Sequence, residues 1–189
     1  FFTLGLTFLY QKQWALYYVL FTVATLNRET TCFLTLAYLC TALGREKIST
    51  IAAHCGAQFI IWMTIKTVLG RIYMGYPGPN GFEWFDGGST IPHYVDNIKV
   101  LANPAKLVGF LSFMGFLWVP VLFYYKRIGN QFVQRCLWVI PPYFLGMFFV
   151  ANIYELRIFA DLIPVVLTPF LLILVNLIKE HAPNPTDHP

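Results

Sequence analysis

Four polar residues, Asn27-Arg28-Glu29-Thr30, stand between two apolar runs, Trp14–Leu26 and Thr31–Gly44. A second group near the other end, Glu155-x-Arg157 with Asp161, has the same character. Charges set into hydrocarbon-like sequence are costly, which makes each group a candidate functional site. The residue types define the chemistry. An arginine fork matches phosphate oxygens, and a carboxylate among apolar neighbours can take or give a proton. Arg28, Arg157 and Asn27 are therefore candidate substrate-binding residues, and Glu155 and Glu29 candidate catalytic ones. Each has a structural reading too: Arg28 and Glu29 could brace a turn or pair with Glu155 and Arg157. Arg157 and Asp161, four apart, could form a local helix pair, but in the poorer order, so other partners are plausible.

The elements that must hold these groups belong to a membrane. Of 189 residues, 57% are hydrophobic and 12% charged, against roughly 25% charged in a soluble domain. One soluble core of this size could not hide so much apolar surface, so the lipid bilayer must be a partner. The net charge of +4 is scattered, with no basic run of the kind that binds nucleic acid. Cys32, Cys40, Cys55 and Cys136 lack metal-like spacing and read as small hydrophobes. No nucleotide-binding glycine motif, zinc signature or nucleophile elbow is present. No cofactor is identifiable, and a divalent metal has no support in the sequence.

The expected fold is all-α: a polytopic transmembrane helical bundle with short paired helices and one long extracytoplasmic loop. Residues 1–180 make one transmembrane domain, and 181–189 a polar, Pro-rich tail expected to be disordered. The chain opens Phe-Phe and its first Met is Met63, which predicts the C-terminal part of a longer chain without a signal peptide. Phe1–Tyr10 reads as the end of a spanning helix. Trp14–Leu26 and Thr31–Gly44 would each reach only about 20 Å, short of the roughly 30 Å hydrocarbon core. They form either one tilted helix with Arg28-Glu29 near mid-membrane, or a hairpin with the polar four at its turn. The hairpin is favoured, because Thr30 and Thr31 can cap the second helix and Glu29 sits by its positive end.

Ile51–Gly75 is the clearest span, with His54, Gln58 and Lys66 on a side that should face other helices. Lys66 also has an anion-binding reading. Tyr76–Lys106 is expected to be a loop outside the bilayer, carrying Glu83 and Asp86 as further substrate-binding candidates and Val95–Ala102 as a short surface helix. Leu107–Tyr125 reads as a second clear span. Cys136–Val150 must be broken or kinked at Pro141-Pro142, and Ile158–Ile178 is kinked near Pro164 and Pro169.

Threading the hairpin version places Lys12, Arg45-Glu46-Lys47, Lys126-Arg127, Arg135 and Lys179 on one face. Asn27–Thr30, the long loop and Ala151–Arg157 fall on the other. The Lys/Arg bias makes the first face cytoplasmic. The two polar groups then converge at the extracytoplasmic surface, where apolar walls and a charged roof would suit a lipid-linked sugar or another amphiphilic phosphate.

The run Trp14–Leu43, with Leu26-Asn27-Arg28-Glu29-Thr30 at its centre, resembles a stretch of bacterial polytopic membrane proteins of the C-type glycosyltransferase fold. These take sugars from polyprenyl-phosphate donors. Asn152-Ile153-Tyr154-Glu155-Leu156-Arg157-Ile158-Phe159, followed by Leu162-Ile163-Pro164, is similar to a motif near the end of the same proteins. The likeness covers most of the chain in pattern and few residues in detail. It implies a bacterial inner-membrane transferase of the cell envelope, with Arg28, Glu29, Glu155 and Arg157 in the active cavity. The acidic catalytic residue in the first extracytoplasmic loop would lie upstream of Phe1. A transporter or flippase of an amphiphilic anion, and a non-catalytic structural subunit, are the rival expectations.

Overall fold

The first 47 residues fold as their charges require. In the computed structural model, which describes residues 1–74 and 92–181, the run from Trp14 forms helix α2 (Trp14–Asn27), preceded by α1 (Phe2–Tyr10). Arg28 leaves the helix in an extended conformation, φ −140° and ψ 139°. A single 3-10 turn over Glu29–Thr31 starts α3 (Cys32–Ala42). Helices α2 and α3 run antiparallel: the Trp14 and Tyr38 rings meet edge to face at 5.3 Å, and Lys12 Nζ lies 3.3 Å from Glu46 Oε1. The polar four are thus a hairpin turn. The threonines do not cap α3: Thr31 at the cap position is already helical, φ −55° and ψ −28°, and its side chain accepts no backbone N–H. Thr31 Oγ1 donates back to the Arg28 carbonyl, and Thr30 Oγ1 to the Asp161 carboxylate.

At the opposite end of the hairpin, Glu46 accepts a hydrogen bond from Tyr38 Oη at 2.8 Å. Partial burial alone would raise its carboxyl, but Tyr38 and Lys12 outweigh that and hold it below the ordinary glutamate range. A lowered folded value means this contact stabilises fully above the unfolded glutamate pKa of about 4.3 and is lost as pH falls through the folded value. Glu46→Gln is therefore expected to flatten the acid limb of a melting-temperature profile below about pH 4.3. An unchanged acid limb would refute the assignment.

Helix α4 (Ile48–Ile72) has 25 residues, about 37 Å at 1.5 Å each, enough to cross a bilayer. His54, Gln58, Trp62 and Lys66 recur every four residues, and all four turn toward the hairpin. Tyr18 Oη and His54 Nδ1 are 2.8 Å apart, and the imidazole stacks on Trp14 at 3.9 Å. Tyr17 Oη donates to the fully buried Gln58 at 2.9 Å. Trp62 Nε1 donates to the Glu29 carbonyl, and Lys66 reaches the Glu29 carboxylate. The polar side faces protein, as expected, while Phe59, Ile60 and Met63 are exposed.

Residues 75–91, with Glu83 and Asp86, lie outside the described residues, as do 182–189. Of the segment expected as a loop to Lys106, the described part holds α5 (His93–Ala102), where a short helix was expected over Val95–Ala102, and the start of α6 at Pro104. Helix α5 is amphipathic. His93, Asn97 and Val100 are buried while Tyr94 and Ile98 are exposed.

The continuous span expected over Leu107–Tyr125 is broken. Helix α6 (Pro104–Leu111) and α7 (Trp118–Phe123) belong to two segments that meet at 67°. Between them Met114, Gly115 and Phe116 take φ of 57°, 60° and 62°. Pro120 gives the physical reason. In an unbroken helix its ring would clash with the Phe116 carbonyl and it would withhold a hydrogen bond. Trp118 Nε1 donates to the Leu111 carbonyl at 2.9 Å, satisfying a group left free at the break.

Pro141 and Pro142 are absorbed more gently. Helix α8 (Gln131–Cys136) tightens into a 3-10 turn at Leu137–Val139, and α9 (Ile140–Val150) restarts with the prolines in its first turn. There a missing N–H costs little. A 3-10 stretch, Leu156–Leu162, leads into α10 (Ile163–His181), which holds Pro169. The main core joins Tyr17, Phe21 and Leu34 to Val139, Tyr143 and Phe159. Gly5 lets α1 close on α3, since a Cβ there would stand 2.7 Å from Leu34 Cδ1.

Candidate functional site

The two charged turns meet. Arg28 leaves α2 just where the chain turns, and Asp161 lies in the 3-10 stretch that enters α10. Arg28 Nη1 is 3.2 Å from Asp161 Oδ1, and Thr30 Oγ1 donates to Asp161 Oδ2 at 2.6 Å. The Asp161 side chain is only 14% exposed, whereas Arg28 is 47% exposed. One guanidinium nitrogen is committed to Asp161, and the outer half of Arg28 remains open to an anion. Beside it Glu29 pairs with Lys66 at 3.7 Å.

Glu155 and Arg157 form their own pair. Arg157 Nη2 and Nε lie 2.8 and 2.9 Å from Glu155 Oε2, and Arg157 is 83% exposed. Tyr143 Oη donates to the Ile158 carbonyl at 2.6 Å, anchoring this turn to α9. Lys106 Nζ stands 5.7 Å over the Tyr154 ring. The structure thus places Arg28, Glu29, Glu155 and Arg157 on turns at one end of the bundle, with Lys66 reaching Glu29 from helix α4 and Asn27 exposed at the tip of α2. The direct link between the groups runs through Asp161 and Thr30, which the sequence reading counted in the two polar groups but gave no binding or catalytic role. The poor Arg-before-Asp order was the signal that Asp161 had another partner.

Two hollows flank this link, and they differ in size. Beneath Arg28 and Asp161 the free space is about 10 Å³, walled by Phe1, Phe2, Ala24 and Leu34, scarcely room for one water. Between the broken span and helices α9 and α10 lies a cleft of about 400 Å³. Phe110, Met114, Trp118, Phe144 and Phe159 are among its apolar walls. Phe159 lies in the same 3-10 stretch as Arg157, while Glu155 and Arg157 themselves are not among the walls of the cleft. Among the described residues no three His, Cys, Asp or Glu side chains are grouped to hold a metal ion.

Fold and composition define a class. The described residues form an all-helical bundle with three helices long and apolar enough to cross a membrane: Ile48–Ile72, Gln131–Val150 and Leu156–His181. The bent pair makes a fourth if counted as one span, and this is consistent with a polytopic integral membrane protein. Comparison with protein-family models, with curated proteins and with solved structures returns no match.

Proposed function

We propose that the chain is part of an integral-membrane glycosyltransferase that uses a lipid-linked sugar donor at the face carrying Arg28, Glu155 and Arg157. The observation that supports it is the apolar cleft of about 400 Å³, walled in part by Phe159 of the stretch that also carries Arg157. An amphiphile would lay its chain in the cleft and its phosphate near arginine. In this reading an acceptor hydroxyl attacks the anomeric carbon, and the bond from that carbon to the phosphate oxygen breaks. Glu155 takes the acceptor's proton. Arg157, with the free side of Arg28, offsets the charge left on the lipid phosphate. Glu29 and Lys66 set the position of Arg28's turn. The Lys/Arg bias of the opposite end supports an extracytoplasmic reactive face, and the resemblance implies a bacterial inner membrane.

A second reading has its own support: the closed space under Arg28–Asp161 suits a purely structural clasp. Glu155→Gln separates the two. Because proton removal by a positioned base contributes about 10²–10⁴-fold, transfer of radiolabelled sugar from a lipid-phosphate donor should fall by at least about a hundredfold at unchanged protein abundance. Unchanged transfer would overturn the assignment of Glu155. Retained transfer with lost movement of the lipid donor across vesicles would favour a transporter.

A further inference from the structure

The opposite, basic end of the bundle carries a hollow that the transfer reading does not use. It measures about 280 Å³ and is lined by Lys12, Trp14, Tyr38, Arg45 and Glu46. Lys12 is held at φ 56°, a left-handed conformation uncommon for a non-glycine residue, and its side chain is 70% exposed. Arg45 is exposed, and its guanidinium has no ion-pair partner among the described residues. Arg135 stands close by, donating to the Thr41 and Leu43 carbonyls. Glu46 is the one acidic group of the hollow, and it is already occupied by Tyr38 and Lys12.

Tyr10 and Phe132, whose rings lie 5.2 Å apart, line both this hollow and a second one of about 280 Å³. The second has mainly apolar walls. It runs from Tyr10 to Thr3 along α1, about 10 Å at 1.5 Å per residue, between α8 and α10, past Leu6, Val133, Val165 and Leu172. A cationic, aromatic-rimmed hollow at the bundle end, adjoining an apolar groove across the shared Tyr10–Phe132 wall, matches the division of a phospholipid into headgroup and acyl chain.

We propose that this end binds an anionic phospholipid, its phosphate between Lys12 and Arg45 and one acyl chain in the groove along α1. Charge complementarity selects an anionic lipid over a zwitterionic one, and the groove selects a lipid over a soluble phosphate. The site stands apart from the transfer reading and survives its failure.

The test is native mass spectrometry of the full chain in detergent, titrated with phosphatidylglycerol, phosphatidylcholine or glycerol phosphate. The wild type should retain phosphatidylglycerol in preference to the other two. Lys12→Ala with Arg45→Ala should weaken retention about thirtyfold, the worth of two basic residues near an anionic headgroup. Leu6→Trp, which fills the groove, should lower retention while leaving the basic residues in place. Arg45→Glu, an exposed change that should not alter folding, should abolish the preference for phosphatidylglycerol over phosphatidylcholine. Equal retention of phosphatidylglycerol by the variants, equal binding of glycerol phosphate, or no lipid retained by a wild type whose groove is filled by another segment would each overturn the proposal.

Discussion

Asn97→Leu should unfold the joint between α5 and the end of α9, with a loss of about 3–5 kcal/mol. Asn97 is fully buried. Its Nδ2 donates to the carbonyls of Phe148 and Ala151, both at 2.8 Å, and its Oδ1 accepts from the Ile153 N–H at 3.0 Å. One side chain thus satisfies three backbone groups where α9 ends and the Glu155 turn begins. Leucine has similar bulk but leaves all three without a partner, each costing about 1–3 kcal/mol. Against a total stability of about 5–15 kcal/mol, this is a large share. Asn97→Asp should be at least as damaging, because it aims a carboxylate oxygen at two carbonyl oxygens. Thermal unfolding in detergent and protease cutting near α5 measure the effect. The neighbouring Asp96, paired at the surface with Lys99, is the control; Asp96→Asn should change stability by less than about 0.5 kcal/mol. Equal stability of Asn97→Leu and wild type would show that α5 does not dock as described.

The second large effect belongs to Asp161→Ala, with an expected loss of about 2–3 kcal/mol. The two contacts made by Asp161 are unequal. The bond from Thr30 is short and shielded, whereas Arg28 is half exposed and its ion pair is weakened by water. A double-mutant cycle should therefore give Thr30 and Asp161 a coupling of about 1–2 kcal/mol, and Arg28 and Asp161 less than about 1 kcal/mol. Reversed magnitudes would mean that the ion pair, not the hydroxyl, joins the turns.

How much of this was legible in the sequence depended on whether one residue or two decided the matter. The hairpin was legible because charge and length act locally: two apolar runs too short to span, with Lys12 and Glu46 at the far ends. The polar side of α4 was legible because a four-residue period puts His54, Gln58 and Lys66 on one face. The break in the α6–α7 segment was missed although Pro120 signals it, because apolar content was weighed above the missing N–H. Asn97 was not legible at all. It looks like any polar residue of an amphipathic helix until α9 supplies the carbonyls it bonds. Asp161 lay between these cases: its spacing from Arg157 argued for a distant partner, but Thr30 is 131 positions away and nothing local selects it.

The account rests on the Asn27–Thr30 and Glu155–Asp161 turns sharing one end of the bundle. Thr30→Cys with Asp161→Cys, in a chain whose Cys32, Cys40, Cys55 and Cys136 are replaced by alanine, tests this directly with a short methanethiosulfonate cross-linker. The native side chains touch at 2.6 Å, so rapid intramolecular cross-linking is expected. So is rapid cross-linking of Lys12→Cys with Glu46→Cys at the far end, where the native pair lies 3.3 Å apart. Cross-linking of the far pair without any at positions 30 and 161 would contradict the account.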